Sequence, residues 1–221
     1  MIRVHNEEDQ VNVPDWVSDL ESFRRWTEAD DFPEKGDIEF FNGEVWVDMS
    51  KEQIFTHVHV KTEYTIVLGG LVRSEKKGLY LSDGAFVSNV DANLAVKPDG
   101  TFVSNLSLDE GRVRLVEGMR EGVLELEGSP DMVLEVVSRS SVRKDAVDLR
   151  RAYWEAGVRE YWLVDARRDL SSFDILRHTT RGFSATRKND GWLKSAVFGK
   201  AFRLVRSVNA LGHPDFTLEV R

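Results

Sequence analysis

Hydrophobic residues recur along this chain with two periods, and the places where one gives way to the other outline its elements. Trp16, Leu20, Phe23 and Trp26 follow Pro14 at spacings of four, three and three, which predicts an amphipathic helix over 15–29. The runs 38–41 and 44–49 flank Asn42-Gly43, a dipeptide that readily supplies the positive-φ residues of a tight turn, and so predict a β-hairpin. From 51 to about 72 a largely apolar stripe of Phe55, Val58, Thr62, Ile66 and 68–71 predicts a long helix, weakened and ended by Gly69 and Gly70. Short runs at 79–81, 85–87, 94–97, 102–103, 113–117 and 123–126, separated by Gly, Asp and Asn, read as strands joined by turns.

The second half is more regular. An apolar run over 132–137, a helical pattern over 142–156, Gly157 as a stop and a second apolar run over 161–164 read as strand, helix, strand. That order implies a right-handed crossover between parallel neighbours. Beyond Arg168, alternating runs at 173–176, 183–186, 202–204 and 216–220 read as antiparallel edge strands. The expectation is an α/β fold: an N-terminal helical arm over 1–30, then a single domain over 31–221 with its core at about 37–168 and edge strands over 169–221.

Composition narrows the chemistry. The 221 residues are 41% hydrophobic and contain no cysteine, so there is material for one core and none for disulfides, thiolate zinc sites or cysteine nucleophiles. No apolar run approaches the roughly 18–20 residues of a membrane helix, and the N-terminus lacks the order of a signal peptide, so the expectation is a cytoplasmic protein with no membrane partner. A net charge of −8 repels a polyanion unless basic groups cluster locally, which excludes tight non-specific coating of DNA. Phosphate loops, dinucleotide fingerprints and nucleophile elbows are missing from the sequence, which argues against nucleotide hydrolysis, Rossmann redox chemistry and serine-esterase action.

Glu135 stands out because it interrupts an otherwise apolar strand. A strand buried on both sides carries a carboxylate only if that group is paired, hydrogen-bonded or metal-bound. A cap or salt-bridge acceptor at the strand's open end would serve equally. Asp99 lies in Lys97-Pro98-Asp99-Gly100, which reads either as a Pro-Asp-Gly turn or as a kinked sheet edge. If Asp99 and Glu135 meet across neighbouring strands, they form a hard oxygen site suited to magnesium. Arg143, Lys144, Arg150 and Arg151 follow the Glu135 strand, face outward or sideways, and could bring a phosphate towards it. His57 and His59 are two apart on a helix and diverge, so they make no zinc pair.

The order Asn42-Gly43-Glu44, a helix with His57, Lys97-Pro98-Asp99, the run 130–138 with Asp131 and Glu135, and the run 156–165 resembles the Uma-two family of restriction-type endonucleases, a branch of the PD-(D/E)XK nuclease superfamily. The resemblance spans roughly 30–170. It implies a restriction-endonuclease-like mixed β-sheet core flanked by helices, with Asp99 and Glu135 as metal-binding acids for Mg2+ (Mn2+ as a substitute) and a lysine beside them. The implied activity is a metal-dependent phosphodiesterase of endodeoxyribonuclease type acting on DNA. Glu44 and His57 match positions near the family's acidic cleft. The lysine two residues after the acid is replaced here by Val137, and the helical position that commonly holds lysine is Leu149. Lys144 or Lys97 could supply the cation instead. A second reading is a catalytically degenerate nuclease-fold module that binds DNA or a protein, or a purely structural member. Short edge strands and Trp192 point to a homodimer.

Overall fold

The computed structural model describes residues 2–4, 11–119 and 122–221. Asn42 and Gly43 take φ of +55° and +75°, the double left-handed turn that closes a two-residue hairpin between β2 (Asp37–Phe41) and β3 (Glu44–Asp48). Before them come β1 (Ile2–Val4) and α1 (Leu20–Thr27). After them a π-helical turn (Ile54–Val58) runs into α2 (His59–Glu75), followed by β4 (Gly78–Ser82), β5 (Phe86–Asn89), β6 (Leu94–Val96) and β7 (Gly100–Ser104). Next are α3 (Asn105–Asp109), β8 (Val113–Glu117), β9 (Val123–Gly128) and β10 (Met132–Val136). A second π-helical segment (Lys144–Leu149) continues as α4 (Arg150–Glu155) and leads to β11 (Glu160–Asp165). The chain ends with β12 (Ser172–Thr179), β13 (Gly182–Ala185), β14 (Leu193–Lys194), β15 (Ala201–Val208) and β16 (Pro214–Val220).

Three sheets result. A seven-stranded sheet runs β1-β3-β2-β6-β5-β9-β8, a six-stranded sheet runs β13-β12-β11-β10-β7-β4, and β14, β15 and β16 form a third. β10 and β11 pair in parallel through the intervening helix, and β10 pairs antiparallel with β7, so the central sheet is mixed. Its strand β10 is buried throughout. Met132, Leu134 and Val136 face a core shared with α2 and the third sheet, around Tyr64, Trp162, Phe173 and Phe202. Val133 faces a second core closed by Leu149, Ala152 and Tyr153 and by Trp46 of the hairpin. This alternation leaves Glu135 on the second face, enclosed between two sheets and a helix.

Several expectations shift. The first helix begins at Leu20 rather than residue 15, because Asp19 caps it: its carboxylate accepts the Ser22 amide at 2.8 Å and the Ser22 hydroxyl accepts the Asp19 amide at 3.0 Å. Trp16 lies outside the helix, while Phe23 and Trp26 pack under the hairpin with Ile38, Phe40 and Val47. α2 passes through Gly69 and Gly70 and ends at Lys76, which adopts a left-handed φ of +51°. Its buried stripe is Val60, Tyr64, Leu68 and Val72, whereas Ile66 is exposed. Packing of that stripe against the core outweighs a glycine cost of about 1 kcal/mol each. Of the C-terminal strands, β12 and β13 extend the central sheet as an antiparallel edge, but β15 and β16 belong to the separate third sheet. The guanidinium groups of Arg203 and Arg221 lie 4.8 and 4.2 Å from the Trp192 ring centroid, so this aromatic is flanked by charge. Among the described residues, no helix is long and apolar enough to cross a membrane.

Candidate active site

Strand register brings the two acids together. Leu134 of β10 stands opposite Gly100 of β7, and the next residue outward on each strand is Glu135 and Asp99. Asp99 Oδ2 accepts the Val136 amide at 2.7 Å, which ties the carboxylate to the strand that bears Glu135. Gly100 has to be small here, because a Cβ would lie 2.5 Å from the Tyr80 hydroxyl. Both acids line one cavity of about 40 Å³, room for an ion or a few waters.

The rest of the cavity wall is unusually acidic. Asp37, Asp48, Glu52, Asp83 and Asp145 join the pair, against His57, Lys97 and Lys144. Glu135, 3% exposed, accepts the Tyr153 hydroxyl at 2.6 Å. Burial pushes its carboxyl well above the usual range, the nearby Asp99 charge adds to this, and Lys144 opposes it. Burial also raises Asp99, with His57 and Lys61 working against the rise. Asp145 is pushed up to about 7 by burial, opposed by Lys144 and by the Ser141 hydroxyl. These shifts share one first cause, burial of the carboxylates, which the local cations offset only in part. A divalent cation would offset the rest.

The donor set fits magnesium. Mg2+ is usually held by one or two carboxylates, with waters and substrate phosphate completing the shell. Asp99 and Glu135 supply hard oxygens of that kind. Among the described residues no group of three or more His, Asp or Glu is arranged to hold a metal by itself.

Of the other candidates, His57 is buried in the first π-helical turn, its Nε2 3.9 Å from Asp99 and its Nδ1 3.6 Å from Glu52. Burial disfavours its imidazolium, but Glu52 and Asp99 outweigh that and raise its pKa. His59 turns away to Asp215, 2.7 Å distant. Lys144, expected on an outward face, is only 9% exposed: Nζ donates to Glu39 at 2.9 Å and lies 4.4 Å from the Trp46 ring centroid. Lys97 lines the cavity, its amide donating to Glu39 at 3.1 Å. Glu44 does not line the cavity; it lines a neighbouring pocket with Arg143, Lys144 and Asp148, because the hairpin turn carries it past the edge. Arg150 donates to the Phe183 carbonyl and Arg151 pairs with Glu155, so neither serves the site.

Sequence reasoning missed Glu39 and Lys61. Glu39 has the same signature as Glu135, a lone acid in the apolar strand β2, where it is fully buried. Lys61 stands four residues after His57, hence on the same helix face. Its Nζ is 2.6 Å from Glu52, 2.8 Å from Asp83 and 3.4 Å from Asp99. Burial works against its charge, but Asp99, Asp83 and Glu52 outweigh it and raise its pKa. Both π-helical segments carry site residues, His57 in one and Lys144 and Asp145 in the other, a common setting for such distortions.

Beside the cavity lies a groove of about 780 Å³ whose cations are Lys51, Arg139, Arg167 and Arg168. The groove and the cavity share Ser50, Glu52, His57 and Ser138. Local positive charge therefore stands next to the acid pair despite the acidic chain, though it comes from the loops after β3, β10 and β11 rather than from the helix.

Residues 20–202 match the Uma2 family, described as "Putative restriction endonuclease". The chain is also similar to a solved structure described as "a putative nuclease belonging to DUF820" from Anabaena variabilis ATCC 29413, with a TM-score of 0.60 and 14% identity over 82% of this chain and 90% of that one. At that identity the likeness is one of fold. No match is found among curated proteins. With most of its length matched and its mixed sheets flanked by helices as the resemblance implies, this chain belongs to the Uma2 family.

Proposed function

We propose that this protein is a divalent-metal-dependent nuclease that hydrolyses DNA phosphodiester bonds, with Asp99 and Glu135 holding Mg2+ or, in its place, Mn2+. The observation that carries the proposal is the meeting of the two acids, opposite each other across β7 and β10, in a cavity that opens beside a cationic groove. When bound, the cation supplies Lewis-acid polarisation of the phosphate and a water acidified towards neutrality. The chain's own residues do the rest. Asp99 is fixed by the Val136 amide and Glu135 by the Tyr153 hydroxyl, so both carboxylates are held in place before substrate arrives. Arg139, Arg168 and Lys51 seat the phosphodiester backbone, while Arg167 is held in a bidentate pair with Asp165. Lys144, on the cavity wall beside Glu135, is the ammonium placed to meet charge growing on the phosphoryl oxygens.

The test is nicking of supercoiled plasmid in Mg2+ or Mn2+. Wild type should nick, chelator should stop it, and Asp99→Ala or Glu135→Ala should lower the rate on the order of 10³-fold. Nicking that survives both substitutions would contradict the proposal. Val137 and Leu149, apolar and buried where the resemblance implies lysine, favour the binding-module reading instead. That reading requires salt-sensitive DNA association indifferent to chelator and no nicking by wild type.

The groove carries its own expectation. Arg139 and Arg168 are exposed, so Arg139→Gln with Arg168→Gln should leave folding intact. Two lost phosphate contacts should reduce the slope of log affinity against log salt by roughly 2. Fluorescence anisotropy with a labelled duplex reads this, and an unchanged slope would place the DNA elsewhere.

A further inference from the structure

Three carboxylates converge on one ammonium beside the acid pair. Lys61 Nζ lies 2.6 Å from Glu52, 2.8 Å from Asp83 and 3.4 Å from Asp99 Oδ1, while its side chain is almost wholly buried. The acids come from separate segments: the loop before the π-helical turn, the connection from β4 to β5, and the link from β6 to β7. The Asp83 amide also donates to the Asp99 carbonyl at 3.1 Å, which ties two of those segments together. An ammonium has three N–H donors and no acceptor; Glu52 and Asp83 accept two of its hydrogen bonds, and Asp99 stands within ion-pair distance.

Asp99 is shared between two surroundings. Its Oδ1 side belongs to the Lys61 cluster, and its Oδ2 side to Val136 and the strand bearing Glu135. Two-metal phosphodiester sites clamp the reacting phosphate between ions roughly 3.5–4 Å apart. Here a fixed monovalent charge stands on one side of the shared carboxylate, ringed by three acids that would otherwise repel one another. We infer that the Lys61 ammonium is a built-in cation that takes the place of a second divalent ion next to Asp99, so that the protein holds a single divalent cation per chain. This rests on the reading of Asp99 and Glu135 as metal-holding acids. Glu52 and Asp83 are 37% and 54% exposed, so an ion could reach their cluster from solvent once the ammonium is gone.

Counting bound Mn2+ on the full chain, by the loss of the free-ion paramagnetic resonance signal, tests the inference without reference to catalysis. Wild type should bind one Mn2+ per chain, Lys61→Arg should also bind one, and Lys61→Ala should bind two. The added ion should be lost again when Asp83→Asn is combined with Lys61→Ala. One Mn2+ in Lys61→Ala, or two in wild type, would overturn the inference while leaving the acid pair's role intact. No Mn2+ on wild type would remove the metal reading itself, and the inference with it. Should Lys61→Ala fail to fold, Lys61→Gln is held to the same count, and two Mn2+ on wild type would overturn the inference without any variant.

Discussion

Glu135→Gln should abolish metal-dependent cleavage and, in chelator at pH 7.5 or above, raise the melting temperature. Both effects come from one charge. Glu135 is buried and its pKa stands well above the usual value because of that burial and the Asp99 charge. A group whose folded pKa is raised binds its proton more tightly in the native state, so stability falls as pH rises from the unfolded pKa towards the folded one. Asp145, pushed to about 7, acts in the same sense between about pH 4 and pH 7. Glutamine keeps an oxygen to accept the Tyr153 hydroxyl and removes the ionisation. A gain of about 1–3 kcal/mol corresponds to roughly 5 °C for a chain of this size. The melting temperature of chelated wild type should fall between pH 5 and pH 8, and that of Glu135→Gln should fall less. The gain should vanish when saturating Mn2+ stabilises wild type alone. A melting temperature unmoved or lowered at pH 7.5 would mean that the charge is already satisfied within the protein.

Lys144→Met is the opposite case, a variant expected to cost stability heavily. Lys144 is buried against Glu39, which is itself fully buried and accepts its Nζ at 2.9 Å. Burial works against the ammonium, but Glu39, Asp145 and Glu135 outweigh it and hold it protonated. Removing one partner of such a pair strands the other, at a cost of about 3–5 kcal/mol, or roughly 10 °C. Methionine can keep the packing on the Trp46 ring, so the loss reports charge rather than volume. Glu39→Gln added to Lys144→Met should recover most of the loss, as a double-mutant cycle would show. Where the single variant is still folded, its turnover should drop on the order of 10²-fold while Mn2+ affinity changes little. A double variant no more stable than the single would show that the two groups are not coupled.

What could be read from the chain alone was what local physics decides. Asn42-Gly43 specifies its turn whatever surrounds it, and the apolar runs on either side of Gly157 specify two buried strands joined by a helix. Glu135 was visible because a charge in a buried strand has to be accounted for. Glu39 carried the same mark in Ile38-Glu39-Phe40-Phe41 and passes unnoticed only if the hairpin is taken to have one wet face. The phase of α2 was not legible, since the sequence offers one stripe through Val58 and Ile66 and another through Val60, Tyr64 and Leu68. The choice is made by contacts remote in sequence, such as Tyr64 against Phe173 at 5.6 Å between centroids. The pairing of Asp99 with Glu135 depends on β7 and β10 being neighbours, a non-local fact that spacing cannot contain. Lys61 was hidden for a different reason: His57 invites comparison with His59, but on a helix its same-face neighbour is four residues on.

On the proposed reading, Asp99 and Glu135 hold one divalent cation together. Crystals soaked in Mn2+ and measured at the manganese edge test it most directly. An anomalous peak should lie in contact with a carboxylate oxygen of each residue and be lost in Asp99→Ala. A peak bound to other residues, or none at saturating Mn2+, would contradict that reading.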